Sequence, residues 1–238
     1  VIIPSWRLCA ILGIATSLLF EALIHYRNAF LGLGGRLGFT AFLATSAVAF
    51  FHSAGPATGL LSSTIAITTN LSSLKQSTIL PMAVWHAVGS VATIVLREVS
   101  DESAAADPVR ASAVVGLIGA LLLQDKSAAL AVYGGSFVGM SLPSRLMHGV
   151  LPGSGGPGTG PNREAPPTVF KLLLSFAVAG ALGGVVHGAT IDWGFWPGGW
   201  GGKAGSCAFA GCLIYRGLEK VVAILKGGRR SSPVVAES

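Results

Sequence analysis

Five histidines, His25, His52, His86, His148 and His187, are the residues of this chain best suited to chemistry, because they lie in or beside long apolar runs. In such a setting a polar side chain must find a partner, and it marks a functional candidate. A neutral imidazole there can ligate a tetrapyrrole metal, relay protons or hydrogen-bond a neighbouring helix. His86 stands in the middle of Leu80-Pro81-Met82-Ala83-Val84-Trp85-His86-Ala87-Val88-Gly89, whereas His25, His52 and His187 lie near the ends of apolar runs and His148 just beyond one. We take His25, His86, His52 and His187 as candidate cofactor-binding residues; for any one of them a bond between helices is the simpler role.

Other chemical patterns fail on spacing. Gly201-Gly202-Lys203-Ala204-Gly205-Ser206 looks like a phosphate loop, but Pro197 occupies the place of the required first glycine and Ala204 that of the Ser or Thr. Gly32-Leu33-Gly34 lacks the dinucleotide spacing. Asp192 and His187 share a loop region with no nucleophile elbow, so no catalytic residues are assigned and no enzyme is expected. Cys9, Cys207 and Cys212 show neither CxxC nor Cys/His spacing and read as small apolar fillers, without disulfide or metal. Asn70-Leu71-Ser72 is a formal glycosylation sequon inside a doubtful apolar run.

The elements that must position these residues follow from composition. The chain is 51% hydrophobic and only 11% charged, with a mean hydropathy of +0.67; soluble domains carry about 25% charged residues. An all-α, polytopic transmembrane bundle is expected, with candidate spans at 5–26, 37–54, 58–72, 79–96, 111–124, 128–142, 168–190 and 204–222. Asp125-Lys126 makes a tight polar turn between the fifth and sixth, which should form a helical hairpin. Segment 58–72 is rich in Thr, Ser and Asn, so a re-entrant or interfacial piece is its alternative. Trp6, Trp193, Trp196 and Trp200 fall at predicted span ends, as an aromatic belt requires.

Two stretches repeat each other. Gly34-Gly35-Arg36-Leu37-Gly38-Phe39-Thr40-Ala41-Phe42 returns 167 positions later as Gly201-Gly202-Lys203-Ala204-Gly205-Ser206-Cys207-Ala208-Phe209, and six of the nine positions match in type. Arg36 and Lys203 are expected at the lipid-water boundary, each opening a small-residue helix. Eight crossings would make the two copies parallel and seven would make them inverted; the lysines and arginines satisfy the positive-inside rule either way, and eight is the expectation. The chain then divides into a first membrane half at 1–148, a Gly/Pro-rich linker at 149–167, the last two spans at 168–226, and a basic then polar tail at 227–238.

A formal charge of +6 points to membrane lipids and not to nucleic acid, since the cations are dispersed at span ends and no basic patch is interleaved with stacking aromatics. The stretch His25-Tyr26-Arg27-Asn28-Ala29-Phe30-Leu31-Gly32-Leu33-Gly34-Gly35 resembles part of the chlorophyll a/b and fucoxanthin-chlorophyll light-harvesting proteins. The resemblance implies that His25 ligates chlorophyll and that Arg27 pairs with a carboxylate on a partner helix. It is confined to this stretch and departs from the family pattern: Tyr26 replaces a glycine, Phe30 a methionine, and Glu21 precedes His25 by one residue more than the family spacing. That family also has fewer spans, so the chain is not assigned to it.

Two functional classes are expected. The first is a non-catalytic accessory or scaffold subunit of a large organellar membrane complex, a thylakoid photosystem-antenna assembly before the mitochondrial inner membrane. Its partners are neighbouring membrane subunits and lipid, and its expected cofactors are chlorophyll and carotenoid. The second is a small repeat-built transporter or channel for a neutral or small solute, with Gly134, Gly135 and Gly139 available to a site at mid-membrane. An opening Val1 in place of Met fits a chain whose leader has been removed or that begins part-way.

Overall fold

A computed structural model describes residues 6–25, 32–53, 76–99, 107–147, 168–191 and 199–228. All of the regular structure in them is helical: α1 (Trp6–His25), α2 (Arg36–Ser53), α3 (Gln76–Val99), α4 (Pro108–Leu122), α5 (Lys126–Gly139), the single turn α6 (Pro143–Leu146), α7 (Val169–Ala189) and α8 (Gly199–Gly228). Seven of the eight predicted apolar segments fall on these helices. The eighth, 58–72, lies outside the described residues, as do His148, the 149–167 linker, Trp193, Trp196 and the 229–238 part of the tail. Two stretches, Thr78–Glu98 in α3 and Val169–Ala189 in α7, are long and apolar enough to cross a membrane; each has 21 residues, roughly 31 Å at the α-helical rise.

Local sequence sets the helix ends. Asp125 Oδ1 accepts from the Ser127 amide at 2.9 Å and Asp107 Oδ1 from that of Val109 at 2.8 Å, with Pro108 at the first helical position. Both satisfy donors that a helix start leaves orphaned. Substituting Asp125 with alanine should destabilise the α4–α5 hairpin by about 1 kcal/mol, read as a lower unfolding midpoint in detergent. Thr168 caps α7 in the same way, accepting from Lys171 N.

Glycines set the distances between helices and reveal their directions. Along α7, Gly188 lies on Ile79, Gly184 on Met82 and Ala83, and Gly180 on Ala87 and Ser90, so α3 and α7 run antiparallel with backbones nearly touching. α5 runs parallel to α3, with Gly135 on His86, Gly139 on Ser90 and Thr93, and Arg97 Nη1 donating to the carbonyls of Gly139 and Ser141 at 2.9 Å. α4 is antiparallel to α5 through Gly116 on Tyr133 and the Ser112–Ser136 hydroxyl pair at 2.7 Å. Gly183 on Ala208 and Gly211 on Ala179 make α8 antiparallel to α7. The helices α3, α4, α5, α7 and α8 thus alternate in direction along the chain.

The repeated stretches meet face to face. A Cβ on Gly38 would come within 2.7 Å of the Gly205 Cα, and one on Gly205 within the same distance of Gly38 Cα, so equivalent positions of the two copies form the crossing point. On one side Gly35 lies against Phe209; on the other Gly202 lies against Phe42, its counterpart under the repeat. This pattern is an approximate two-fold axis with α2 and α8 antiparallel. It differs from the parallel copies that eight crossings require: the contacts run from Gly35–Phe209 through Gly38–Gly205 to Gly202–Phe42, in opposite chain directions, and glycine at the crossing lets the two backbones approach closely. Phe39 and Phe209 stack across the joint with centroids 4.9 Å apart.

The loop before α2 is anchored as tightly. Gly32 and Gly35 adopt positive φ of 77° and 79°, backbone that glycine alone adopts without strain. Between them the Gly34 amide donates to Ser141 Oγ at 2.8 Å, and Leu142 N donates to Gly32 O at 2.7 Å. The start of the first repeat is thereby docked on the α5–α6 junction.

The interior mixes polar and apolar side chains, and much of the outside is apolar. Thr40, His86, Ser90, Thr93, Ser136 and Ser141 are fully enclosed, while the outside of α4 and α7 is aliphatic or aromatic, with Leu121, Leu122 and Phe170 each 74% exposed. Each of these hydroxyls has a bond, as in Ser90 Oγ to Phe176 O at 2.9 Å and Thr93 Oγ1 to Gly89 O at 2.9 Å. The apolar part of the core gathers around Phe176, Ile94, Val138, Leu146 and Met147.

Candidate functional site: a buried histidine pair

His86 and His187 meet at the α3–α7 interface. His86 Nε2 and His187 Nδ1 are 2.9 Å apart, with the rings perpendicular and their centroids 5.1 Å apart. His86 is wholly buried and His187 nearly so. The antiparallel register explains the meeting: Gly184 and Gly188 draw α7 onto α3, and His187, between them in sequence, projects beside the one imidazole in the middle of α3. Gly134 on α5 closes the third side, since a methyl there would lie 2.5 Å from His86 Cε1 and 2.8 Å from its Nε2.

The shared bond requires at least one of the two nitrogens to be an unprotonated acceptor, so the rings are not both cationic. Their outer nitrogens, His86 Nδ1 and His187 Nε2, are buried and, among the described residues, bonded by no protein group. Among the described residues no group of three or more His, Cys, Asp or Glu side chains is arranged to hold a metal ion.

Lys203 lies one turn beyond. It is 6% exposed, and its ammonium donates to the carbonyls of Thr190 and Ile191 at 3.0 Å each, where α7 ends. Protein encloses this cation there, because the last carbonyls of a helix have no partners in the helix itself and attract positive charge. Its repeat counterpart behaves differently: Arg36 is half-buried, with its guanidinium carbon 4.6 Å from the Phe20 ring centroid.

Of the four candidate histidines the structure brings together two. His25 and His52 lie in α1 and α2, but their side chains fall outside the described residues. Cys207 and Cys212 are buried free thiols, Cys212 Sγ lying 3.4 Å from Ser141 Oγ. Sequence reasoning passed over the buried serines and threonines that tie α3, α5 and α7 together. Their signal was available as isolated hydroxyls within apolar runs, such as Ser90 in 82–96. No protein-family model, curated protein or solved structure matches this chain.

The pair should behave as an energetic unit. Replacing either histidine with leucine strands the other's inner nitrogen, an expected loss of about 1–3 kcal/mol. Replacing both should cost less than the sum, with a coupling of roughly 0.6–1.7 kcal/mol if lipid is the solvent. A double-mutant cycle on unfolding in detergent measures this; strict additivity would mean that the bond contributes nothing.

Proposed function

We propose that this chain is a polytopic membrane bundle acting as a small transporter or channel, with the His86–His187 pair at its working centre and no enzymatic reaction. The observation that carries this reading is where polarity sits: hydroxyls, both imidazoles and Lys203 are among the buried residues while many large aliphatic side chains are exposed along the helices. In water each exposed Leu or Phe would forgo about 1.5–3 kcal/mol of burial; in hydrocarbon that penalty vanishes and the polar groups belong inside. The antiparallel crossing of the two glycine-cation copies supports transport, because inverted repeats create an interface where solute sites lie. The test is insertion followed by flux. The protein should stay with liposomes through an alkaline carbonate wash and should raise their permeability to a small neutral solute or to protons. Release by the wash refutes the membrane reading, and an inserted protein that changes no permeability refutes transport.

The bare aliphatic face of α4, with Leu117, Leu121 and Leu122 outward, favours a second reading. Such a face suits a neighbouring subunit's helix as well as lipid, as in an accessory subunit of a thylakoid or mitochondrial complex. Chlorophyll and carotenoid belong to this reading; His86 Nε2 and His187 Nδ1 are already engaged, which leaves His86 Nδ1 and His187 Nε2 as the nitrogens of the pair open to a ligand. An absorption spectrum of the protein in mild detergent, taken with its co-purifying partners, separates the two. Bound pigment or a stable large complex favours the subunit, and a colourless monomer that moves solute favours the transporter.

A further inference from the structure

Each neutral imidazole carries one N–H and one lone pair. If His86 Nε2–H donates in the shared bond, His86 Nδ1 keeps a lone pair and His187 Nε2 keeps a hydrogen. If His187 Nδ1–H donates, those roles exchange. In either tautomer one outer nitrogen can take a proton and the opposite one can release a proton. Both are buried and, among the described residues, bonded by no protein group, one on α3 and one on α7.

A bond meant only to join these helices needs no such arrangement. Ser90, four residues along α3 from His86, ties α3 to the Phe176 carbonyl without stranding a second polar atom. The histidine pair leaves two stranded, at about 1–3 kcal/mol each. Metal ligation fits less well, since the two inner nitrogens are spent on each other and no third ligand joins them among the described residues. The titratable groups around the pair are engaged elsewhere. On α5, Tyr133 packs on Phe137 and Gly116; on α8, Lys203 serves the end of α7 and Cys207 bonds Thr190; on α3, Arg97 serves the end of α5; and Lys171 of α7 is exposed.

We propose that His86 and His187 form a two-residue proton relay across the α3–α7 interface, so that the species moved by this bundle is the proton. In one passage the outer lone pair takes a proton from a hydronium ion and a new N–H bond forms. The shared proton then crosses the 2.9 Å bond to the other ring, whose outer N–H breaks and gives its proton to a water molecule. Both rings end neutral in the opposite tautomer, and reorientation of the rings resets them. This inference rests on the transporter reading given above.

The test uses the purified chain in liposomes with a trapped pH-sensitive dye, and a potassium gradient with valinomycin to drive proton entry. The unmodified protein should acidify the lumen faster than protein-free vesicles do. His86→Gln and His187→Gln should each lose that excess, because glutamine can hydrogen-bond but cannot accept a proton on one atom and release another. Gly134→Ala, whose methyl would press on the His86 ring, should slow the flux with both histidines present. Glutamine variants that conduct like the unmodified protein overturn the relay. So does an inserted, unmodified protein that passes a neutral solute but no protons, and in that case transport itself stands. Nitrogen NMR of histidine-labelled, unmodified protein covers the case in which the variants do not fold. Exchange between the two tautomers supports the relay, and a single static tautomer overturns it.

Discussion

Gly135→Val should cripple the bundle. Gly135 faces the backbone of α3 at His86, where an added Cβ would overlap the carbonyl oxygen and lie 2.6 Å from the carbonyl carbon and 2.7 Å from Cα. These are main-chain atoms of a helix held on its other side by Gly180 and Gly184, so they cannot rotate out of the way as a side chain could. The helices must separate, which loosens the Ser112–Ser136 and Arg97–Gly139 bonds nearby. Overpacking of this kind costs about 1–3 kcal/mol or more. For a chain of this size each kcal/mol lowers the unfolding midpoint by roughly 2–4 °C, so a drop of roughly 6–12 °C in detergent is the expected result at the upper end. The control is Gly217→Ala. Gly217 has nothing within 4 Å of its would-be Cβ, and alanine there should leave the midpoint unchanged or raise it by up to about 1 kcal/mol of helix propensity. Equal responses at the two glycines would mean that α5 does not approach α3 as closely as described.

Lys203→Met should be the second large effect, and it should be much larger than Arg36→Met although the two cations are equivalent in the repeat. Methionine keeps the length and removes the two donated bonds to Thr190 and Ile191. A hydrogen bond to a charged group contributes about 1.5–3 kcal/mol, and the carbonyls left behind are poorly placed to find another donor. Arg36 covers Phe20 at a partly exposed site, where a cation–π contact is worth only about 0.5–1 kcal/mol. The loss at position 203 should be local as well as global, with amide exchange quickening first in the last turn of α7 around His187. A pair of variants with equal midpoints would show that Lys203, like Arg36, works at an exposed boundary.

The helices themselves were legible because their signals are local. Apolar helices of 14 to 21 residues are opened by Asp107, Asp125 and Thr168, which fix where these three start whatever they pack against. His86 stood out for the same reason, as one imidazole in an apolar run. His187 was a candidate too, but the pairing was not legible, because it lies 101 residues away and reads alone as a residue at a helix end.

The sequence by itself pointed to an all-helical, apolar chain with two matching glycine-cation entries and one histidine deep in an apolar run. Only the tertiary structure decided how those entries meet, which histidine completes the pair, and that Lys203 turns inward while Arg36 stays at the edge. Composition and periodicity act over a few turns of one helix. Direction, register and partner choice come from backbone approach at Gly38, Gly205, Gly184 and Gly135, and a glycine in a sequence does not say which other glycine it will face.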